Sequence, residues 1–178
     1  MSRRAAIYQP KTDTYLIRLT KGHGTIISAV DADLAALTWT ALLTPYTVYA
    51  CRQTPRGDGK QQMVKLHREI LALMLGRDLL AGEEVDHING NGLDNTRGNL
   101  RLATHAENMA NSRKRLDNTS GFKGVHWVER KRKWCAQIRF GGKPKHLGLF
   151  TSKEAAYAAY CDAAEKYHGE FANNGGGK

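Results

Sequence analysis

Cysteine is scarce in this sequence. The three present, Cys51, Cys135 and Cys161, are odd in number, far apart and never in a C-x-x-C pair. That excludes a disulfide framework and a cysteine-built zinc site, and leaves free thiols in a reducing cytoplasm. Long apolar runs are missing too. No segment approaches the roughly 20 apolar residues that a membrane span needs, and with a mean hydropathy of -0.53 the chain reads as soluble. Arg3 and Arg4 have no apolar run behind them, so no secretory signal is expected and the protein is read as not secreted.

Acidic residues are the third shortage, and a local one. Between positions 113 and 146 stand eleven Lys and Arg against two acids, Asp117 and Glu129, a surplus of nine in a chain of net charge +10. Such a stripe is the electrostatic footprint of a phosphate-backbone partner; the alternative is a solvated charged face.

Ahead of the stripe, residues 14–20 and 25–30 read as strands joined by the turn Lys21-Gly22-His23-Gly24, and 31–37 as a short helix capped by Asp31. Residues 39–43 and 46–52 read as a further strand pair and 53–61 as a polar loop. Residues 63–77 read as a helix stopped by Gly76, with Val64, Ile70, Leu71, Leu73, Met74 and Leu75 as its apolar face. His67 on that helix reads as structural, since nothing near it in sequence completes a site.

Residues 85–88 follow as a strand, and Asn89-Gly90-Asn91-Gly92-Leu93-Asp94-Asn95 as a tight loop of turn-forming residues. Residues 99–102 make a second strand, and Thr104 with Glu107 forms a capping box that opens a helix. Beyond the linker, 121–128, 134–140 and 145–150 read as three short strands. A second capping box at 151–154 opens a helix to about 168, ended by Gly169, with Ala155, Ala156, Ala158, Ala159, Ala163 and Ala164 on one face. Residues 173–178 read as a disordered tail.

The strand–loop–strand–helix unit gathers Asp86, His87, Asn99 and Asn108, and phosphodiester hydrolysis suits those side chains. A carboxylate and a neutral amide oxygen are ligands for Mg²⁺, which keeps several waters and asks for few protein groups. A histidine of ordinary pKa ~6.5 is largely free to take a proton from water near neutrality. Asp86 and His87 are neighbours on a strand and point to opposite faces, so one site can use both only if the strand twists or ends there.

Val85-Asp86-His87-Ile88-Asn89-Gly90, then Leu93-Asp94-Asn95, Asn99-Leu100-Arg101 and Glu107-Asn108, resembles the HNH endonuclease motif of phage-type and homing enzymes. The resemblance implies a ββα-metal fold, His87 as general base, Asp86 and Asn108 as metal ligands, and Asn99 as the residue that holds the loop and orients the histidine. It implies Mg²⁺, or another divalent cation such as Mn²⁺, and a place in the cytoplasm of a phage-infected or bacterial cell. The last motif position is often His; here it is Asn108, with His105 one turn earlier as the rival ligand.

Gly121-Phe122-Lys123-Gly124-Val125-His126-Trp127, Lys133 to Arg139, Leu147-Gly148-Leu149-Phe150 and His168-Gly169-Glu170-Phe171-Ala172 resemble a second family, the AP2 DNA-binding domain. In that family a three-stranded sheet enters the major groove. By position the implied contacts are Lys123, His126, Arg130, Arg132, Trp134, Gln137, Arg139 and Lys145, with Trp134 equally readable as core.

The expected fold is therefore α+β. A strand-rich region (1–62) leads into an HNH core (63–112), a basic linker (113–119) and an AP2-like domain (120–174) of a three-stranded antiparallel sheet plus one helix. The expected function is a metal-dependent DNA endonuclease, homing enzyme or nickase, acting as a monomer on double-stranded DNA with no membrane partner. The alternative is a non-catalytic AP2-type DNA-binding regulator. No stacking-platform motif favours RNA.

Overall fold

The structure, a computed structural model, describes residues 6–175. Residues 1–5, on which the expectation of no secretory signal falls, and 176–178 of the predicted tail lie outside the described residues. The elements are β1 (Ile7–Gln9), β2 (Thr14–Arg18), β3 (Gly24–Ser28), α1 (Ala32–Ala35), β4 (Thr40–Leu43), β5 (Val48–Pro55), β6 (Gln61–Lys65), α2 (Leu66–Leu75), β7 (Glu83–His87), β8 (Asp94–Asn95), β9 (Leu100–Thr104), α3 (His105–Asn111), β10 (Val125–Val128), β11 (Lys133–Phe140), β12 (Lys143–Phe150) and α4 (Lys153–His168). The chain divides into two compact units between Leu102 and Ala103, not at the basic linker. Among the described residues no helix is long and apolar enough to cross a membrane.

In the first unit, β2 and β3 form the predicted hairpin, with Lys21 and Gly22 both at positive φ in its turn. The sheet runs β1-β2-β3-β8, and its last pairing is parallel: Ile26 faces Asp94 and Ile27 faces Asn95. A second sheet is ordered β4-β5-β6, and β7 pairs with β9. The core they enclose holds Ile17, Leu19, Ile27, Trp39, Ala50, Leu66, Ile70, Leu71, Val85 and Leu100. Each large aliphatic side chain buried there stabilises the fold by about 1.5–3 kcal/mol.

Several expectations change. The helix predicted from residue 63 starts at Leu66, because Met63, Val64 and Lys65 pair with Gln53, Arg52 and Cys51 as a strand. Its inward face is Leu66, His67, Ile70 and Leu71, whereas Leu73, Met74 and Leu75 are exposed. Asp31 caps no helix; its carboxylate takes the Arg97 guanidinium through both oxygens, at 2.6–3.2 Å. The loop at 89–95 contains β8, which periodicity could not reveal in two residues.

In the second unit, β10-β11-β12 is antiparallel and α4 lies across it, burying Ala156, Tyr160, Ala163 and Ala164. A bulge falls at Ala136/Gln137. The sheet-plus-helix layout is the one expected, with shifted ends: β10 begins at Val125, and β12 at Lys143, so Pro144 sits inside the edge strand. Ser152, not Thr151, caps α4, accepting from the Ala155 N–H at 3.1 Å. Ala155 and Ala158 face solvent. The α3 segment belongs to this unit because Ala103 and Ala110 pack on Phe171. In the predicted tail, Asn173 is buried and donates to the Asn111 carbonyl at 2.7 Å, and the Gly175 N–H donates to Asn173 Oδ1 at 2.7 Å.

Gly124 marks the tightest point of the second unit. Its φ is +72°, and a Cβ there would overlap the Tyr160 ring and stand 2.7 Å from the Gln137 carbonyl oxygen. Gly121, at φ +84°, has open space around it. Gly124→Ala should therefore lower stability by on the order of 3 kcal/mol, combining backbone strain with overpacking, and Gly121→Ala by only about 1 kcal/mol. Urea unfolding of the two variants checks the contrast.

Candidate active site

Asp86 and His87 end β7, both buried, at 3% and 6% exposure. Strand alternation sends them to opposite sides. Asp86 Oδ2 receives the Arg101 Nε–H from β9 at 2.8 Å. His87 lies against the rings of His67 and Tyr49, with centroids 5.0 and 6.0 Å away, and its Nε2 is 3.1 Å from Asn95 Oδ1. The strand stops there because the Gly90 N–H, at a φ of 68°, turns back onto the His87 carbonyl at 2.7 Å.

The loop is held from inside. Asn99 Oδ1 accepts the Asn89 N–H at 3.0 Å, and its Nδ2 donates to Asn89 Oδ1 and the Asp94 carbonyl at 3.1 and 2.7 Å. Asn89 and Asn91 accept backbone N–H groups two residues on, as turn formers do. Asn99 thus bonds three points of the loop, and the amide that meets His87 is that of Asn95. Asn95 is fully buried and reaches Thr25 on β3. Sequence reading missed it because it looked like one more turn residue in a run of them. Nor is His67 remote from a site: α2 carries it to His87.

Burial is the first cause of His87's pKa falling below the ordinary histidine value, opposed by the Asn95 bond and the Asp86 and Asp94 charges. His67 is pushed well below that value by burial first, then by His87, Lys65 and Arg68. Both rings are therefore neutral near pH 7, the form a base needs. Among the described residues no three His, Cys, Asp or Glu side chains gather as a metal cage. A buried carboxylate with no thiolate nearby suits a hard, water-rich cation with few protein ligands, not a structural zinc. Asn108 and its rival His105 lie on α3, in the second unit, Asn108 half-buried and His105 exposed.

In the second unit, Val125 and Ala136 pack on Ala156. Register then places His126, Gln137 and Arg139 together on the sheet face turned away from α4. Arg130 and Arg132 are exposed in the β10–β11 turn, where Arg132 has a φ of 48°. Three expected contacts are placed otherwise. Trp134 sits on the helix side with Val125 and Ala136, edge-on to Trp127. Lys145 donates to the Tyr167 hydroxyl at 2.6 Å. Lys123 donates to the Ala110 and Ser112 carbonyls at 2.7 and 2.5 Å, and burial lowers its pKa to about 8. Lys133 and His146 share the outer face with Arg139; counting by twos along β11 would have found Lys133.

A buried histidine held by a loop of asparagines, with a carboxylate beside it in sequence at the end of the same strand, supplies groups that hydrolysis uses. Comparison gives it a family. Residues 64–110 match the HNH endonuclease family profile. The chain is 35% identical over 91 residues to Protein 3.8 of Escherichia phage T7, a match covering 51% of this chain and 74% of that protein. It is 34% identical over 114 residues to an uncharacterised HNH endonuclease of Acanthamoeba polyphaga mimivirus, covering 64% of this chain and 57% of that protein. No solved structure matches. Residues 64–110 thus make up an HNH endonuclease domain, and the chain is an enzyme, a nuclease.

The two buried histidines make the first unit's stability depend on pH. The unfolded chain protonates them near the ordinary value of about 6.5, and the folded chain only at lower pH. The unfolded state therefore binds more protons below that value, and stability falls as the pH drops from 6.5 toward the folded values. Urea midpoints at pH 7.5, 6.5 and 5.5 should decline in that order, with a shallower decline in His67→Gln.

Proposed function

We propose that the protein hydrolyses phosphodiester bonds of double-stranded DNA with a divalent cation, Mg²⁺ by ligand chemistry, and that its basic sheet, read as AP2-like, holds the duplex. The observation that carries this reading is His87, buried and neutral, fixed by an amide at the end of the strand that also carries Asp86. His87 takes a proton from the attacking water as oxygen bonds to phosphorus and the bond to the leaving sugar oxygen breaks. Asp86 and Asn108 are the groups that would hold the cation, which when bound neutralises charge on the phosphate and the leaving oxygen. Asn99 keeps the loop closed under His87.

His126, Gln137 and Arg139, with Arg130 and Arg132 at the adjoining turn, are the proposed DNA face. An exposed arginine beside polar side chains on one sheet face can meet both phosphates and base edges. The monomer is the proposed working form.

Supercoiled plasmid incubated at neutral pH should be nicked or linearised with Mg²⁺ and remain intact with EDTA. His87→Ala should cut at least about 10²-fold more slowly, yet shift DNA in a gel as the native protein does. Asn108→Ala should lose cleavage and His105→Ala keep it. Intact plasmid in every lane, or binding lost together with cleavage in His87→Ala, would count against the reading.

The DNA face is tested separately. Arg139→Ala should weaken retention and reduce the slope of log affinity against log salt by about 1. Lys145→Ala, whose ammonium is turned to Tyr167, should leave the slope as it is.

A further inference from the structure

The segment that matches the family profile begins at residue 64, but one polar chain into the site starts well before it. Thr25, on β3, and Asn95, on β8, are both fully buried. The Thr25 hydroxyl donates to the Leu93 carbonyl at 2.8 Å. Its oxygen is then the acceptor for Asn95 Nδ2 at 2.7 Å, and Nδ2 also points at the Gly92 carbonyl, 3.4 Å away. Both ends of this chain are carbonyls, which only accept. The direction of every bond is thereby decided. Asn95 must turn its amide nitrogen to Thr25 and its oxygen to His87. An amide oxygen only accepts, so the His87 Nε2 facing it carries the proton, and the lone pair lies on Nδ1.

We propose that Thr25 is a positioning residue: through Asn95 it fixes His87 in the Nε2–H tautomer and so makes Nδ1 the nitrogen that receives the proton from water. The proposal rests on His87 being the general base. The alternative state shows why Thr25 decides the matter. If the Asn95 amide turned over, its oxygen would face the Gly92 carbonyl, Thr25 would have to leave Leu93 to donate to it, and Nδ2 would donate to His87, forcing the other tautomer. The Thr25 hydroxyl hydrogen could rotate to follow, but it would give up its bond to Leu93 while the Asn95 and Gly92 oxygens, both acceptors only, were set against each other. The β1–β3 sheet thus has a part in the chemistry as well as in the fold.

The experiment is long-range ¹H–¹⁵N correlation spectroscopy of the full chain at neutral pH, which separates the two histidine tautomers. His87 is assigned by its absence in His87→Ala. The native protein should show His87 as Nε2–H. Thr25→Val, which keeps the shape and loses the hydroxyl, should populate Nδ1–H. It should also lower kcat for plasmid cleavage about 10-fold or more, with KM for DNA unchanged. Thr25→Ser should restore both, which a purely structural role for the methyl group would not do. If Thr25→Val fails to fold, Thr25→Ala takes its place. A native His87 in the Nδ1–H form, or a Thr25→Val protein with native tautomer and native kcat, overturns the proposal. A native protein that shows the Nε2–H tautomer but cuts no DNA leaves the tautomer lock standing and removes the nuclease reading on which its purpose rests.

Discussion

Two residues of parallel pairing hold the active-site loop in place. Ile26 and Ile27 of β3 face Asp94 and Asn95, and the Ile26 N–H bonds the Leu93 carbonyl at 3.0 Å. A run of asparagines and glycines has more conformational freedom to lose than most sequences, so it needs such an anchor to present one geometry. The anchor is long-range, joining segments nearly seventy residues apart along the chain. Arg97 clasping Asp31 strengthens it just past the loop. Pull β8 from β3 and Asn95 loses its place, and with it the orientation of His87.

The second constraint is the closeness of the rings around that histidine. Gly92 makes it possible: a Cβ there would stand 2.6 Å from the Val48 carbonyl oxygen and 2.8 Å from the Tyr49 ring. Without a side chain at 92, β5 closes on the loop, and Tyr49 covers His67 and His87. That cover lowers the pKa of both imidazoles by burial, at the cost of stability when acid charges them. Asp86, equally buried, points the other way, to the Arg101 guanidinium. One strand therefore serves two electrostatic environments with adjacent residues.

Much of this was legible in the sequence because the signals were chemical. The Thr104–Glu107 capping box forms as read, and Asn99, singled out by its place in the motif, is bonded to the loop at Asn89 and Asp94. The β2–β3 hairpin followed from its alternation and its turn. What escaped was whatever depended on a distant partner. Asn95 has the composition of a turn residue and acquires its meaning only from Thr25. Asp31 had the right type for a cap, but Arg97, far along the chain, took its carboxylate. Met63 to Lys65 could extend a helix by propensity, and β5 drew them into a sheet. In the second unit the basic residues were counted correctly, yet charge alone could not say that the Lys123 ammonium would close the end of α3 while Arg139 faced outward.

Pro144 bears on how the second unit meets other chains. β12 is an outer strand, and an outer strand offers its unpaired N–H and C=O groups as a template for another chain's backbone. Proline removes one donor from that row, and Lys143 and Lys145 flank it with charge. The sheet is thus guarded against lengthening by accretion of a neighbour's strand, while the broad face with Arg139 stays open.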